Sequence, residues 1–380
     1  MKKPSNSLIG AKVSKVFGSL QESHGLRSVL ASIISILIGL IFGFFLLLVL
    51  KPERAAWGIG KIIGSSLSDI KRFARVLYFA APILMTGLAV GVAFKTGLFN
   101  IGATGQYTMG GFFALYTAIV WGWPWYLALI AAFIGGGIWG AIPGLFKAFF
   151  NVHEVISSIM FNWIGLYLVN LMAINTPKML DPYVGNRTVL LSGANPKGII
   201  PKWGLDQAFN SNFMNISIFL AILVAVVMFI VINRTTFGYE LKACGFNRFA
   251  GLNMGIDAKR SIVLSMVIAG ALAGFGGGLY FLSGIGQYLI EANLLAAGFN
   301  GISVALLGAS NPLGIIFSAL FISYIQVGGD ALQPVFAKET IDVIIAVIIY
   351  MSAFSLIVKS IIAALFKRIG QRKKAKEEVR

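Results

Sequence analysis

Long apolar runs alternate with short polar breaks that carry glycine or proline along almost the whole chain. A helix that crosses a bilayer needs roughly 20 apolar residues, and the first run, Ser28 to Leu50, has that length. Further candidates are 74–94, 106–122, 125–149, 154–174, 213–233, 261–283, 297–309, 313–328 and 341–365. The pattern predicts about ten crossings. The third and eighth are short or rich in glycine and polar residues. Lys2, Lys3, Lys12, Lys15 and Arg27 precede the first run, which is too long for the apolar part of a cleaved leader and reads as a retained helix.

Lysine and arginine in short loops set orientation. The basic N-terminus, the 234–260 loop and the tail KRIGQRKKAKEEVR fall on the cytoplasmic side if the crossings number ten. The expected layout is a tail at 1–27, a membrane domain at 28–365 and a basic tail at 366–380, with both termini cytoplasmic. Residues 51–75, equally basic, then fall outside. They read as an interfacial segment with Ile62, Ile63 and Leu67 toward lipid. Residues 72–120 and 259–328 share one plan: basic end, apolar helix, glycine-polar break, apolar helix. The two units start on opposite sides, as inverted repeats do. Residues 74–174 are therefore expected to superpose on 261–365.

Composition agrees with a membrane solvent. Hydrophobic residues make up 57% and charged residues 12%, where soluble domains carry about 25% charged; mean hydropathy is +0.84. The net charge of +17 is spread over the ends of apolar runs, where headgroups attract it, so no nucleic-acid partner is expected. One cysteine and two distant histidines provide no metal site, and no Ser–His, paired-Asp or metal spacing for catalysis appears within the runs.

Three polar segments carry the candidate chemistry. GLFNIGATGQ, 97–106, lacks the lysine of a phosphate-binding loop. Its glycines permit close helix packing, while Asn100, Thr104 and Gln106 at membrane depth point to a broken helix beside a cavity. In NVHEVISSIMFNWIG, 151–165, Asn151, His153 and Glu154 read as helix N-capping and solvated residues, with Ser157, Ser158 and Asn162 deeper. The 234–260 segment alternates Leu241, Phe246, Phe249, Leu252 and Met254 with polar residues, and Gly245, Gly251 and Gly255 bracket short helical pieces. It suits lipid contact or docking to a partner. Residues 175–212, with four prolines and Trp203, form an outer loop that either receives a partner or caps the bundle.

Together these segments resemble the permeases of bacterial ABC importers in the branched-chain amino acid, ribose and nucleoside group, and most of all the simple-sugar/nucleoside permeases. GLFNIGATGQ is similar to that subgroup's GLFNIGAEGQ, with Thr104 in place of its acidic residue. HEVISSIMFNWI and TTFGYELKACGFNRFAGLNMGI look like its EVI-(S/T)-x-M-x-N segment and its coupling loop. The resemblance covers about Ala74 to Leu365.

It implies an all-α, polytopic bacterial plasma-membrane protein of vitamin B12-type importer architecture that transports rather than catalyses. ATP and Mg would be bound by a partner ATPase, with no cofactor in this chain. The other partners would be a second permease chain, identical or not, an extracytoplasmic substrate-binding lipoprotein and membrane lipids. The coupling contacts expected from the resemblance are Gly238, Lys242, Gly245, Asn247, Arg248, Ala250, Gly251, Asn253, Gly255 and Ile256. By analogy Leu98, Phe99 and Asn100 become gate candidates. Phe99 and Phe299 would stack on a base or block the route, and Asn100, Gln106, Asn162, Asn300 and Ser303 would bond base or ribose. The alternative is a secondary transporter or channel without an ATPase. Glu291, Asp330 and Asp342, its acidic candidates, all lie near predicted helix ends.

Overall fold

A computed structural model of the chain describes residues 24–354 apart from Pro334, together with Ile357, Ser360, Ile361 and Ala364. The tails assigned to 1–27 and 366–380 lie almost entirely outside these residues. The described helices, in order, are α1 (His24–Leu50), α2 (Pro52–Gly64), α3 (Ile70–Lys95), α4 (Ala103–Ile119), α5 (Trp125–Phe150), α6 (Glu154–Ile174) and α7 (Ser217–Arg234). They continue with α8 (Thr236–Phe246), α9 (Arg248–Asn253), α10 (Ala258–Phe281), α11 (Ala296–Leu307), α12 (Pro312–Asp330) and α13 (Lys338–Ala353). Shorter helical turns and two isolated bridges lie in the loops.

Seven of these helices are long and apolar enough to cross a bilayer: α1, α3, α5, α6, α7, α10 and α12. The runs predicted at 106–122, 297–309 and 341–365 correspond to α4, α11 and α13, of 17, 12 and 16 described residues. At 1.5 Å per residue, α11 is only about 18 Å long, little more than half of a ~30 Å hydrocarbon core. The chain is multi-pass, with α3 and α10 at its centre. Most residues of α3 and α10 are buried, whereas most described side chains of α1 are not. In α1 the exposed Ile33, Leu37, Ile41, Phe45 and Val49 recur every fourth residue, opposite buried Ser35, Gly39, Gly43 and Leu47. That is a lipid-facing stripe.

The central helices begin alike. Asp69 caps α3 by accepting from the Lys71 amide, and Asp257 caps α10 by accepting from the Lys259 and Arg260 amides. Both starts read Asp-x-Lys-Arg. Their packing is reciprocal: α3 lies against α11 and α12, and α10 against α4 and α5. The α5–α10 seam is glycine on glycine, since a Cβ on Gly136 would sit 2.6 Å from Gly274 Cα and one on Gly140 2.9 Å from Gly270 Cα. Small residues let backbones approach where lipid provides no hydrophobic drive.

Two local expectations change. Ile62 is fully buried rather than turned to lipid, because α2 lies along α1 and α12 with its backbone against Gly328; Ile63 and Leu67 are exposed as expected. Asn151 ends α5 in a left-handed conformation (φ 54°) instead of capping α6. The cap of α6 is His153, whose Nδ1 accepts from the Val155 amide.

Candidate functional site

The stretch 97–106 ends one central helix and starts the next. Gly97 (φ 73°) closes α3 with the paired bonds of a Schellman cap, Leu98 N–H to Ala93 O at 2.9 Å and Gly97 N–H to Phe94 O at 3.2 Å. Only glycine holds this conformation without strain. The chain then runs without regular helix to Ala103. Leu98 is buried, and Phe99, half-buried, stacks on Phe94 with centroids 4.9 Å apart.

Amide side chains hold this break. Asn100 Nδ2 donates to Gln106 Oε1 at 2.8 Å, and Gln106 Nε2 returns a bond to Asn100 Oδ1 at 3.1 Å. Asn162 on α6 accepts from the Gly105 amide at 2.8 Å and donates to the Ile101 carbonyl at 3.1 Å. All three amides are buried, at 0–2% exposure. Buried polar groups are costly unless paired, and these are paired with one another and with backbone that the break leaves unmatched. In this conformation their hydrogen bonds maintain the break rather than face a cavity.

Thr104 is fully buried, its hydroxyl has no hydrogen-bond partner among the described residues, and α11 comes so close that a Cβ on Gly298 would lie 2.6 Å from the Thr104 amide nitrogen. An ionised side chain here would be buried against α11 backbone, which isolated charges tolerate poorly. Ser157 back-bonds to the Glu154 carbonyl at 3.1 Å, and the buried Ser158 hydroxyl has no hydrogen-bond partner among the described residues.

Residues 234–260 form two short helices on the same end of the bundle as the first break. Thr235 caps α8 through the Gly238 amide, and Gly238 packs on the last carbonyls of α7. Gly245 and Gly251 lie inside the helices rather than bracketing them, as contact points. A Cβ on Gly245 would sit 2.6 Å from the Thr96 carbonyl oxygen, and one on Gly97 2.6 Å from Gly245 Cα. Gly251 lies on Cys244 Sγ. Gly255 (φ 80°) does bound α9, with Ile256 N–H bonded to Gly251 O at 3.0 Å. Asn247 Oδ1 accepts from the Ala250 amide, Lys242 is half-buried and Asn253 exposed, while Arg248 contributes its backbone to α9. Tyr239, Phe246, Leu252 and Met254 are exposed. Thr96 also hydrogen-bonds Ser265 on α10, so the α3 terminus is tied to both neighbours.

The third group lies elsewhere. Phe299, Asn300 and Ser303 on α11 line a groove of about 440 Å³ with Val343, Val347 and Tyr350 of α13. Gly301 packs on Thr86, in the middle of α3, and Thr86 Oγ1 donates to the Ala297 carbonyl at 2.8 Å. The groove is therefore at mid-depth. Phe299 is 40% and Tyr350 61% exposed. Among the described residues no hydrogen bond involves the side chain of Asn300, Ser303 or Tyr350. The sequence reading missed the α13 wall. Its spacing, Val343–Val347–Tyr350, is that of any lipid-facing stripe, and only the tyrosine hydroxyl signals otherwise.

A second break follows α10. Gly284 (φ 81°) starts it, and the 175–212 loop covers it: Tyr288 N–H donates to Thr188 Oγ1, Thr188 N–H to Tyr288 O, and Ile290 N–H to Asn186 O. Tyr288 Oη donates to Asn170 Oδ1 at 2.7 Å, and burial raises its pKa, keeping the proton in place. Asp181, bonded by the Tyr183 amide and Arg187, has a lowered pKa. Of the acidic candidates, Asp330 is paired with Arg75 at 2.9 Å.

Residues 72–353 match the family described as branched-chain amino acid transport system / permease component. The chain is 33% identical over 349 residues to a guanosine ABC transporter permease of Bacillus subtilis, covering 90% of this chain and 98% of that one. It is 34% identical over 347 residues to a nucleoside ABC transporter permease of Lactococcus lactis, covering 88% and 93%. A glucose ABC transporter permease of Haloferax volcanii is 26% identical over 328 residues, covering 83% and 85%. No solved structure matches.

Proposed function

The chain belongs to the branched-chain amino acid transport system permease family, and from that premise we propose that it carries nucleosides inward along the groove between α11 and α13. It is a permease subunit of an ABC importer: it translocates, and ATP is hydrolysed in a separate ATPase subunit. Family membership also decides against the carrier or channel that works without an ATPase.

The observation that carries the mechanism is the glycine contact between α8 and the first break. The exposed Phe246, Leu252 and Met254 beside it form the face on which the ATPase, with its ATP and Mg, docks. With no side chain between Gly97 and Gly245, a shift of α8–α9 acts directly on the end of α3 and the start of α4. The amide network keeps that joint stiff, so the shift becomes a tilt of α4 and of α11, which rests on Thr104 through Gly298. Leu98 and Phe99 are the gate at this joint; Asn100, Gln106 and Asn162 are its frame. Phe299, Asn300 and Ser303 meet the nucleoside.

The wider reading follows. Ten crossings in two inverted repeats of the vitamin B12 type are supported by the shared Asp-x-Lys-Arg starts and the reciprocal packing of α3 and α10. Both termini and the 234–260 segment are cytoplasmic. A second permease completes the pathway, and a lipoprotein receptor delivers substrate to the outer loop, where selection is made. In a reconstituted complex, Gly245→Trp is expected to abolish ATP-driven nucleoside uptake while leaving membrane insertion intact. Normal uptake by that variant refutes the coupling role.

A further inference from the structure

The polar side chains of this protein fall into two populations at membrane depth. Asn100, Gln106 and Asn162 are closed on one another, whereas Asn300, Ser303 and Tyr350 open onto a groove with no hydrogen bond among the described residues. A polar group without a partner at that depth is costly and is retained where water or a ligand meets it. The groove volume, about 440 Å³, falls in the usual range of small-molecule sites, roughly 300–1,000 Å³.

Its chemistry is not that of a pure sugar site or of a lipid-facing furrow. Phe299 from α11 and Tyr350 from α13 provide two aromatic rings, and Val343 and Val347 an apolar floor. Asn300 and Ser303 place an amide and a hydroxyl at one end of the same helix face. Aromatic faces with an adjacent amide are a general means of holding a planar base by stacking and edge bonding. The Tyr350 ring packs edge to face on Phe354 at 5.3 Å and 84°. A second ring packed on an exposed one restricts the rotamers open to it.

We infer that Tyr350 is a substrate-contacting residue that stacks on the nucleobase opposite Phe299 and makes the permease itself discriminate among nucleosides. This rests on the proposed nucleoside pathway. It adds a selectivity step after the receptor: bases with larger stacking surface, the purines, gain more from the ring than pyrimidines do. Since Tyr350 is 61% exposed, its replacement leaves no internal cavity, and the folded yield is expected to hold.

The test uses the full complex in proteoliposomes, with ATPase, receptor and second permease, and follows ATP-driven uptake of guanosine, uridine and D-glucose. The wild type, Tyr350→Phe and Tyr350→Leu share one receptor, so a changed ratio originates in the membrane. Tyr350→Leu is expected to lower guanosine uptake efficiency about tenfold, within the range of stacking effects, and uridine only about threefold, while Tyr350→Phe stays within twofold. Receptor-stimulated ATP hydrolysis should persist. If the wild type imports guanosine but Tyr350→Leu leaves the guanosine-to-uridine ratio unchanged, the inference fails and the pathway reading stands. A uniform loss for both nucleosides, together with weaker association of the two permeases, also overturns it and assigns the groove to packing between chains. If the wild type imports glucose and neither nucleoside, both readings fail.

Discussion

A break follows each of the two central helices, α3 and α10, yet the two breaks are secured by different means. After α3, Gly97 meets the backbone of α8, and buried amides on Asn100, Gln106 and Asn162 close the turn. After α10, Gly284 packs on the Ile199 side chain, and the turn is clasped by the 175–212 loop through backbone hydrogen bonds and the Thr188 and Gln287 side chains, with Asn170 of α6 bonded to Tyr288 and Glu291. A joint that transmits force from outside the membrane must not yield, and backbone-to-backbone contact with a closed amide ring suits that. A joint covered by a loop can open when the loop is displaced, because its partners leave with the loop rather than with a neighbouring helix backbone.

The largest expected effect separates the two glycines. Gly97→Ala adds a methyl group to a left-handed residue and drives it into α8 backbone. The conformation alone costs about 1–2 kcal/mol, and the fixed neighbour adds to it. Gly284→Ala bears the conformational cost, but Ile199 can rotate away. Uptake by the Gly97 variant should fall at least about tenfold more than by the Gly284 variant, a difference of roughly 1.4 kcal/mol or more; equal losses would erase the distinction between the breaks.

Next is Asn162→Ala, which leaves the Gly105 amide and Ile101 carbonyl unpaired in a buried place. Its expected cost is about 1–3 kcal/mol, read as a lower melting temperature of the purified permease. Thr188→Val in the loop clasp removes one acceptor for the Tyr288 amide and should cost about 1 kcal/mol. A larger loss at Thr188 than at Asn162 would reverse the assignment of the stiff joint.

How much of this was legible in the chain depends on the kind of contact. The apolar runs located every long helix, because lipid imposes length and composition directly. The amides of GLFNIGATGQ marked the break, since polar residues at depth need a reason. What they bond to was not legible: Asn162 lies 57 residues from Gly105 and joins it only in the folded bundle. The Gly97–Gly245 contact was hidden for the same reason. Ile62 was misplaced because α12 covers a face that a helix alone would give to lipid. Tyr350 was missed because a groove wall and a lipid stripe share one spacing.

The smallest effect tests the loop clasp with acid. Asp181 has a folded pKa below its ordinary 3.8, held down first by the Tyr183 amide and then by Arg187. Its contribution is therefore fully present above that value and is lost as pH falls through the folded pKa. Asp181→Asn should slightly lower the melting temperature near neutral pH and make no difference well below pH 3.8. A gap that persists in acid would mean that charge is not what secures this loop.

The most direct test of the account compares two asparagines in the reconstituted complex, measuring nucleoside uptake per folded complex and the melting temperature together. Asn100→Ala is expected to lower the melting temperature, since it strands Gln106, while Asn300→Ala should leave it unchanged and reduce uptake about tenfold, within the 1–3 kcal/mol range of an unmet polar partner. If Asn300→Ala transports normally while Asn100→Ala is stable and loses substrate discrimination, the pathway runs through the first break and the division of labour drawn here is wrong.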